Sequence, residues 1–259
     1  MHSARREIIR DLLQSHPFLS LHELEARFPD VSSMTLRRDI EYFEREGEAI
    51  KVRGGVRSMK FITTSMEDAF NQRLKKNTSA KEKIAERAAA MIETGRSIFL
   101  DSGTTMQYLA ERLPDERLTI TTTGINIAMA LMNKNHPIVN IVGGMLNRDS
   151  ISVSGIQATQ FLESINIDIA FIVPSGISGR TGLTSGNYIE CELKKMIVEK
   201  ARRVIVLMDS SKLDKALPYT FCSIEQIDTI ITDDDLSYDV MKKAQEHGVE
   251  VIIADERAQ

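Results

Sequence analysis

Two stretches of the chain combine residue types and spacings suited to holding anions. In "VSSMTLRRDIEYFEREG", Val31 to Gly47, short hydroxyl residues lead into two adjacent arginines, Arg37 and Arg38, within a helix-period pattern. Neighbouring side chains on a helix point about 100° apart, so the pair sweeps an arc instead of a line. In "IFLDSGTTMQYLAERL" an apolar run ends at Asp101, and Ser102, Gly103, Thr104 and Thr105 follow before a helical pattern begins. Hydroxyls and a glycine at a helix N-terminus present backbone N–H groups at the positive end of the helix dipole, a ready site for phosphate. Taken alone, the same four residues could serve as a plain helix-starting turn with no ligand. Thr122 and Thr123, Gly143 and Gly144, and Asp209 with Lys212 follow other apolar runs in the same way. There, Lys212 could meet a phosphate or a sugar hydroxyl.

Other chemistries find less support. Asp101, Glu190, Glu192, Asp209 and Asp233 could act as bases near strand ends, but no compact D-G-x-D-E type arrangement of the kind expected in an isomerase is present, and loop-organising roles explain them better. The histidines are scattered and no set of residues has metal spacing, so neither a catalytic group nor a metal or cofactor is expected. Cys191 and Cys222, far apart in sequence, read as buried thiols of a reducing compartment. The N-terminus lacks the apolar core of a signal peptide, Arg5-Arg6 is followed at once by charge, and no run of eighteen apolar residues occurs. These features predict a cytoplasmic protein with no membrane partner. The formal net charge is −4, so any nucleic-acid surface must be local.

The elements that carry the two stretches have different grammars. Before residue 58 the apolar positions are helical: Ile8, Ile9, Leu12 and Leu13; then Leu21, Leu24 and Phe28 behind a Ser20/Glu23 capping box; then Leu36, Ile40 and Phe43, ending at Gly47. "AIKVRGGVRS" alternates apolar and basic residues about Gly54-Gly55, as a β-hairpin does. Three helices and a basic hairpin predict a winged helix-turn-helix at 1–57. Ser32, Ser33, Thr35, Arg37 and Arg38 would face DNA from the third helix, and Lys51, Arg53 and Arg57 from the wing. Ser32 or Ser33 could also cap that helix, and Glu41 or Glu44 could simply neutralise the arginines. The acids Glu41, Glu44, Glu46 and Glu48 keep a protein-binding module in view; basic residues on both helix and wing weigh against it. Residues 58–76 read as a linker with partial helix. From 77 to 259, seven runs alternate with helices: "SIFLD", "LTITTT", "IVNIV", "DIAFIV", "RVIVLMD", "DTIITD" and "VEVIIA". They predict an α/β domain with a mostly parallel sheet, whose ligands gather beyond the strand carboxyl ends.

Val31, Ser32, Thr35, Leu36, Arg37, Arg38, Asp39, Gly54 and Gly55 resemble, in order, the N-terminal signature of the DeoR family of bacterial sugar-metabolism regulators. The likeness continues through the second half, at Asp101 to Thr105, Gly143-Gly144, Gly155, "AFIVPSGIS" with Ser175 and Gly176, the "E-x-E-x-K" stretch from Glu190 to Lys194, and Asp209 to Lys212. The resemblance implies a C-terminal effector domain similar in fold to ribose-5-phosphate isomerase. It also implies that the Ser102–Thr105 loop holds the phosphate of a sugar, with Lys212 and the other loops completing the pocket. The expected protein is a repressor of a carbohydrate operon that binds operator DNA as a homodimer or homotetramer and is controlled by a phosphorylated sugar. An isomerase-like enzyme with an appended winged helix is the alternative. Thr122-Thr123-Gly124, Asn147-Arg148 and the surroundings of Pro174 depart from the family pattern where the sugar would be read.

Overall fold

The computed structural model describes residues 2–16, 18–52, 54–58 and 70–254. The chain divides into two compact units, Met1–Met66 and Glu67–Gln259.

The first unit begins with α1 (His2–Ser15), β1 (Phe18–Ser20), α2 (Leu21–Arg27) and α3 (Ser33–Arg45), and ends in the hairpin β2 (Ala49–Val52) and β3 (Gly55–Ser58). Ile9, Leu13, Leu24, Leu36, Ile40 and Phe43 are buried together and form its small core. Each such side chain is worth about 1.5–3 kcal/mol relative to exposure. Helix boundaries follow the local signals. Ser20 accepts from the Glu23 N–H at 3.1 Å while Glu23 accepts from the Ser20 N–H at 2.7 Å, a complete capping box. Ser32 is the cap of α3. Gly47 ends it with φ 72°, donating to Glu44, while the Glu48 N–H reaches back to Phe43. The three strands form an antiparallel sheet in the order β1-β3-β2. Gly55 is required there, because a Cβ would meet the Leu19 carbonyl oxygen at 2.2 Å.

The second unit opens with α4 (Phe70–Leu74) and α5 (Thr78–Ala89). There follow β4 (Ser97–Leu100), α6 (Thr104–Arg112), β5 (Thr119–Thr122), α7 (Ile125–Leu131) and β6 (Ile138–Ile141). The hairpin β7 (Met145–Asn147) and β8 (Ser152–Ser154) precedes α8 (Ile156–Glu163), β9 (Ile167–Ile172), and the pair β10 (Gly176–Ser178) and β11 (Gly182–Ser185). Then come α9 (Tyr188–Lys200), β12 (Ala201–Leu207), β13 (Tyr219–Cys222), β14 (Thr229–Thr232), α10 (Tyr238–Glu246) and β15 (Glu250–Ile253). Seven strands pair in the order β15-β14-β12-β9-β4-β5-β6. Every pairing in that sheet is parallel. These strands are the seven runs read in the sequence. Their continuous apolar character has a plain cause: Phe99, Ala170, Ile172 and Val206 pack on one face and Leu100, Phe171, Ile205 and Leu207 on the other. A second sheet, β10-β11-β13, is antiparallel and short.

The strand order positions the site. From β4 the chain builds outward through β5 to β6; restarting at β9 it builds outward the other way to β15. The direction therefore reverses between β4 and β9. In an open parallel sheet, the loops that leave two such strands diverge and open a crevice at their carboxyl ends.

Candidate functional site

On the first unit, α3 sorts three consecutive residues by direction. Arg37 and Arg38 are exposed, and neither forms an ion pair with a described residue. Asp39 is buried and receives Arg5 at 2.6 Å and Arg6 at 2.8 Å from α1. Burial pushes its carboxyl up, but the two guanidinium groups outweigh this and hold it below the ordinary carboxylate range. The sign is that of a depressed acid. Its stabilisation is present above the unfolded value of about 3.9 and is lost as pH falls through the lower folded value. Asp39→Asn is accordingly expected to speed amide exchange in α1 and α3 at neutral pH, and the gap from wild type should close in acid. A gap independent of pH would remove the charge from the explanation.

Glu41 and Glu44, the acids that could have neutralised the arginines, make their direct contacts with Lys51, which chiefly holds the Glu41 carboxyl low, with lesser help from the Arg45 and Arg38 charges. Glu41 pairs with Lys51 at 2.8 Å, and Glu44 accepts the Lys51 backbone N–H at 3.1 Å. Ser33 is exposed beside Ser32, whose hydroxyl shares a 3.0 Å hydrogen bond with Thr35. Arg57 is in β3, whereas Arg53 lies outside the described residues.

On the second unit, the reversal point is occupied by the Asp101–Thr105 loop after β4 and by Val173 to Gly176 after β9. Asp101 is buried and fastens the two: it accepts the Val173 N–H at 3.0 Å and the Ser102 N–H at 2.8 Å, and Lys194 reaches it at 2.7 Å. Lys194, buried on α9, also donates to the Val173 carbonyl at 2.6 Å. Burial drives the Asp101 carboxyl upward, opposed chiefly by the Lys194 charge. Gly103 adopts φ 134°, and a Cβ there would press on the Val173 side chain at 2.9 Å. It starts α6 without any side-chain cap. Ser102, Thr104 and Thr105 are each 6% exposed, and none of their hydroxyls hydrogen-bonds to a described residue. The first turn of α6 thus has uncapped N–H groups and three uncommitted hydroxyls beside it.

The other expected residues lie at the ends of other strands and in the loops that follow them. Thr122, the last residue of β5, and Thr123 are buried next to β4, where Thr122 accepts the Gly124 N–H at 3.0 Å. Ser175 donates its N–H to Thr184 at 2.9 Å, and Gly176 lies against the Lys215 backbone. Gly143 and Gly144 follow β6 at the sheet edge; Gly144 is explained by packing, since a Cβ would meet the Ser154 carbonyl oxygen at 2.5 Å. Lys212 follows β12 on the opposite side, in a short 3-10 turn opened by Asp209.

Several of the contacts around these loops carry no local sequence signal. Asn77, with φ 51°, donates its amide to Asp209 at 2.9 Å instead of capping α5. Lys81 is buried and donates to the carbonyls of Arg73 and Lys76. Burial lowers its pKa, with Asp209 opposing and Lys212 adding to the effect. Phe70 and Arg73 both donate to the Asp149 carbonyl, at 3.1 and 3.3 Å. Glu190 accepts from Asn147, Ser150 and Ser152, which ties the β7–β8 hairpin to α9. Lys195 holds Glu192, and Asp233 accepts the Ser210 N–H. Each acid that could have been a base therefore has a partner. No group of three or more His, Cys, Asp or Glu with metal-binding geometry occurs among the described residues, and no helix among them is long and apolar enough to cross a membrane.

A winged helix with exposed arginines, joined to a parallel α/β unit with an anion-ready crevice, defines a ligand-responsive DNA-binding regulator. Residues 5–61 match the DeoR-like helix-turn-helix domain and residues 76–234 the DeoR C-terminal sensor domain. The chain belongs to the DeoR family of transcriptional regulators. It is 34% identical over 254 residues to the HTH-type transcriptional regulator IolR of Bacillus subtilis, covering 96% of this chain and 98% of that protein. It is 31% identical over 252 residues to the regulator GolR of Listeria innocua, covering 97% and 98%. The repressor GlcR of Bacillus subtilis is 29% identical over 250 residues, covering 96% and 95%. Among solved structures, ribose 5-phosphate isomerase A of Methanocaldococcus jannaschii aligns over 54% of this chain and 56% of its own with 22% identity and a TM-score of 0.41, too loose a match to carry a functional reading.

Proposed function

We propose that this DeoR-family regulator represses a carbohydrate uptake or catabolic operon and responds to a phosphorylated sugar bound in the crevice between β4 and β9. The observation that carries the effector assignment is the first turn of α6: an uncapped helix N-terminus with the free hydroxyls of Ser102, Thr104 and Thr105 around it. Phosphate is the ligand such a turn suits best, through N–H donors, dipole and hydroxyls together. Asp101 acts as the brace of this loop and not as a proton carrier, because Lys194 and two N–H groups occupy it. Thr122, Thr123, Ser175, Gly176 and Lys212 would complete the pocket, with Gly143 and Gly144 shaping the hairpin beside it. With all the nearby acids engaged, the protein acts as a sensor and not as an isomerase.

On the DNA side, Arg37 and Arg38 enter the groove, Ser32, Ser33 and Thr35 allow close approach, and Lys51, Arg53 and Arg57 contact phosphates. The Lys51–Glu41 pair is exposed and of small net worth, so it yields to a phosphate readily. Paired half-sites call for a homodimer or a tetramer built from it, working in the cytoplasm where the operator is. Sugar phosphate and operator then alter each other's affinity by one common factor.

The test is fluorescence anisotropy on DNA from upstream of the protein's own gene, titrated with a panel of sugar phosphates. One compound should shift operator affinity. In the variant carrying Thr104→Ala and Thr105→Ala, DNA binding should stay within about two-fold of wild type while the response to that compound falls at least ten-fold, the equivalent of roughly 1.4 kcal/mol or more. An undiminished response would move the phosphate site off α6.

A further inference from the structure

The β6 edge of the parallel sheet is poor in charge and rich in exposed apolar side chains. From Leu118 to Asn147, thirty residues running from β5 through α7 and β6 to the end of β7, Lys134 alone carries a formal charge, in a chain that is 27% charged. Within that stretch Met132, Ile138, Ile141, Met145 and Leu146 are between 46% and 80% exposed. Charge depletion with methionine and large aliphatics standing in solvent is the composition of an interface core. β6 is the terminal strand, and among the described strands it pairs only with β5. Its four residues, Ile-Val-Asn-Ile, contain no lysine, proline or bulge of the kind that blocks an edge. Ile138 and Ile141 lie on opposite faces of the strand, so apolar surface wraps round the edge. The other edge is managed differently: β15 opens with exposed Glu250, and Val251, Ile252 and Ile253 are half-buried.

We propose that this edge is a two-fold interface between two copies of the chain, with β6 running antiparallel to β6 of the second copy and Met132, Ile138, Ile141, Met145 and Leu146 closing an apolar core about it. The five side chains present on the order of 500–600 Å², against about 800 Å² per partner in an interface of standard size, and the strand backbone with its rim supplies the remainder. A strand edge is its own complement under a two-fold axis, since the outward N–H and C=O groups meet the same groups with polarity reversed. A second copy therefore satisfies the whole edge with one patch, which a partner of another sequence would have to reproduce. The proposal rests on the operator-binding reading only for the expectation of two copies.

The experiment is sedimentation velocity of the full chain over a concentration series, for wild type, Ile141→Lys, Met132→Glu and the control Tyr238→Lys, with circular dichroism to verify folding. Tyr238 is 79% exposed on α10, by the opposite edge. The expected result is a wild-type and control dimer, with association weakened at least ten-fold in both edge variants. Amide exchange at Val139 and Ile141, slow in wild type, should quicken in Met132→Glu, which leaves the strand itself intact. If both variants stay as dimeric as wild type, the interface lies elsewhere and the proposal is overturned. A monomeric wild type overturns it too and leaves the edge to a different partner. Edge variants that become monomers yet bind operator as wild type does would uphold the interface and defeat the paired half-site reading.

Discussion

Alanine at both Arg37 and Arg38 is expected to remove sequence-specific operator binding while leaving the first unit folded. Each good bidentate base contact is worth about 1–3 kcal/mol, so the pair accounts for roughly 2–6 kcal/mol, or a loss between about thirty-fold and about twenty-thousand-fold. The fold should survive because α3 is held by Leu36, Asp39, Ile40 and Phe43, all buried, while the two arginines are exposed. If one of them grips a phosphate, the single variant at that position will instead weaken all DNA about equally and reduce the salt slope by about 1. Anisotropy on operator and scrambled DNA at several salt concentrations reads both effects. Operator affinity retained in the double variant would take the reading role away from α3.

The second large effect belongs to Lys194. Lys194→Met leaves Asp101 in place, buried and without its ammonium partner, and breaking a buried pair from one side costs about 3–5 kcal/mol. The sign of the pH dependence follows from the carboxyl. Without Lys194 its folded pKa climbs further above the unfolded value, so nothing is lost where both states are protonated. The deficit then grows as pH rises from the unfolded value toward the folded one. Urea unfolding of the sensor unit should therefore show a variant near wild type in acid and far weaker at neutral pH. Adding Asp101→Asn should restore part of the loss, because a neutral amide needs no counter-charge. A deficit equal at all pH values would mean that lost packing, and not the bare carboxylate, is responsible.

What could be read from the sequence divides along the range of the interactions. Ser20/Glu23, Gly47 and the Gly54-Gly55 turn are local signals, each satisfied within a few residues, and they mark the first unit's elements where they stand. The seven β-branched runs are visible because burial on both faces demands continuous apolar sequence. By contrast β7, β8, β10 and β11 have three or four residues each, too few for any period to show. The hydroxyl loop after Asp101 is legible because strand end, glycine and helix start are adjacent. Lys194 lies 93 residues from Asp101, and Asn77 lies 132 from Asp209, so nothing nearby in sequence announces either contact. Arg5 and Arg6 look like any basic start to a helix until Asp39 meets them. Isolated lysines and asparagines are ordinarily solvated, and only the fold makes these exceptions.

Asp101, Val173 and Lys194 fasten the loop after β4 to the loop after β9. Parting the two loops there would break the Lys194–Asp101 ion pair and the hydrogen bonds at Val173, so this point is the costliest place in the unit to open. The loops carrying Asp149 and Asp209 are held in turn by Phe70, Arg73 and Asn77, at the start of the same unit.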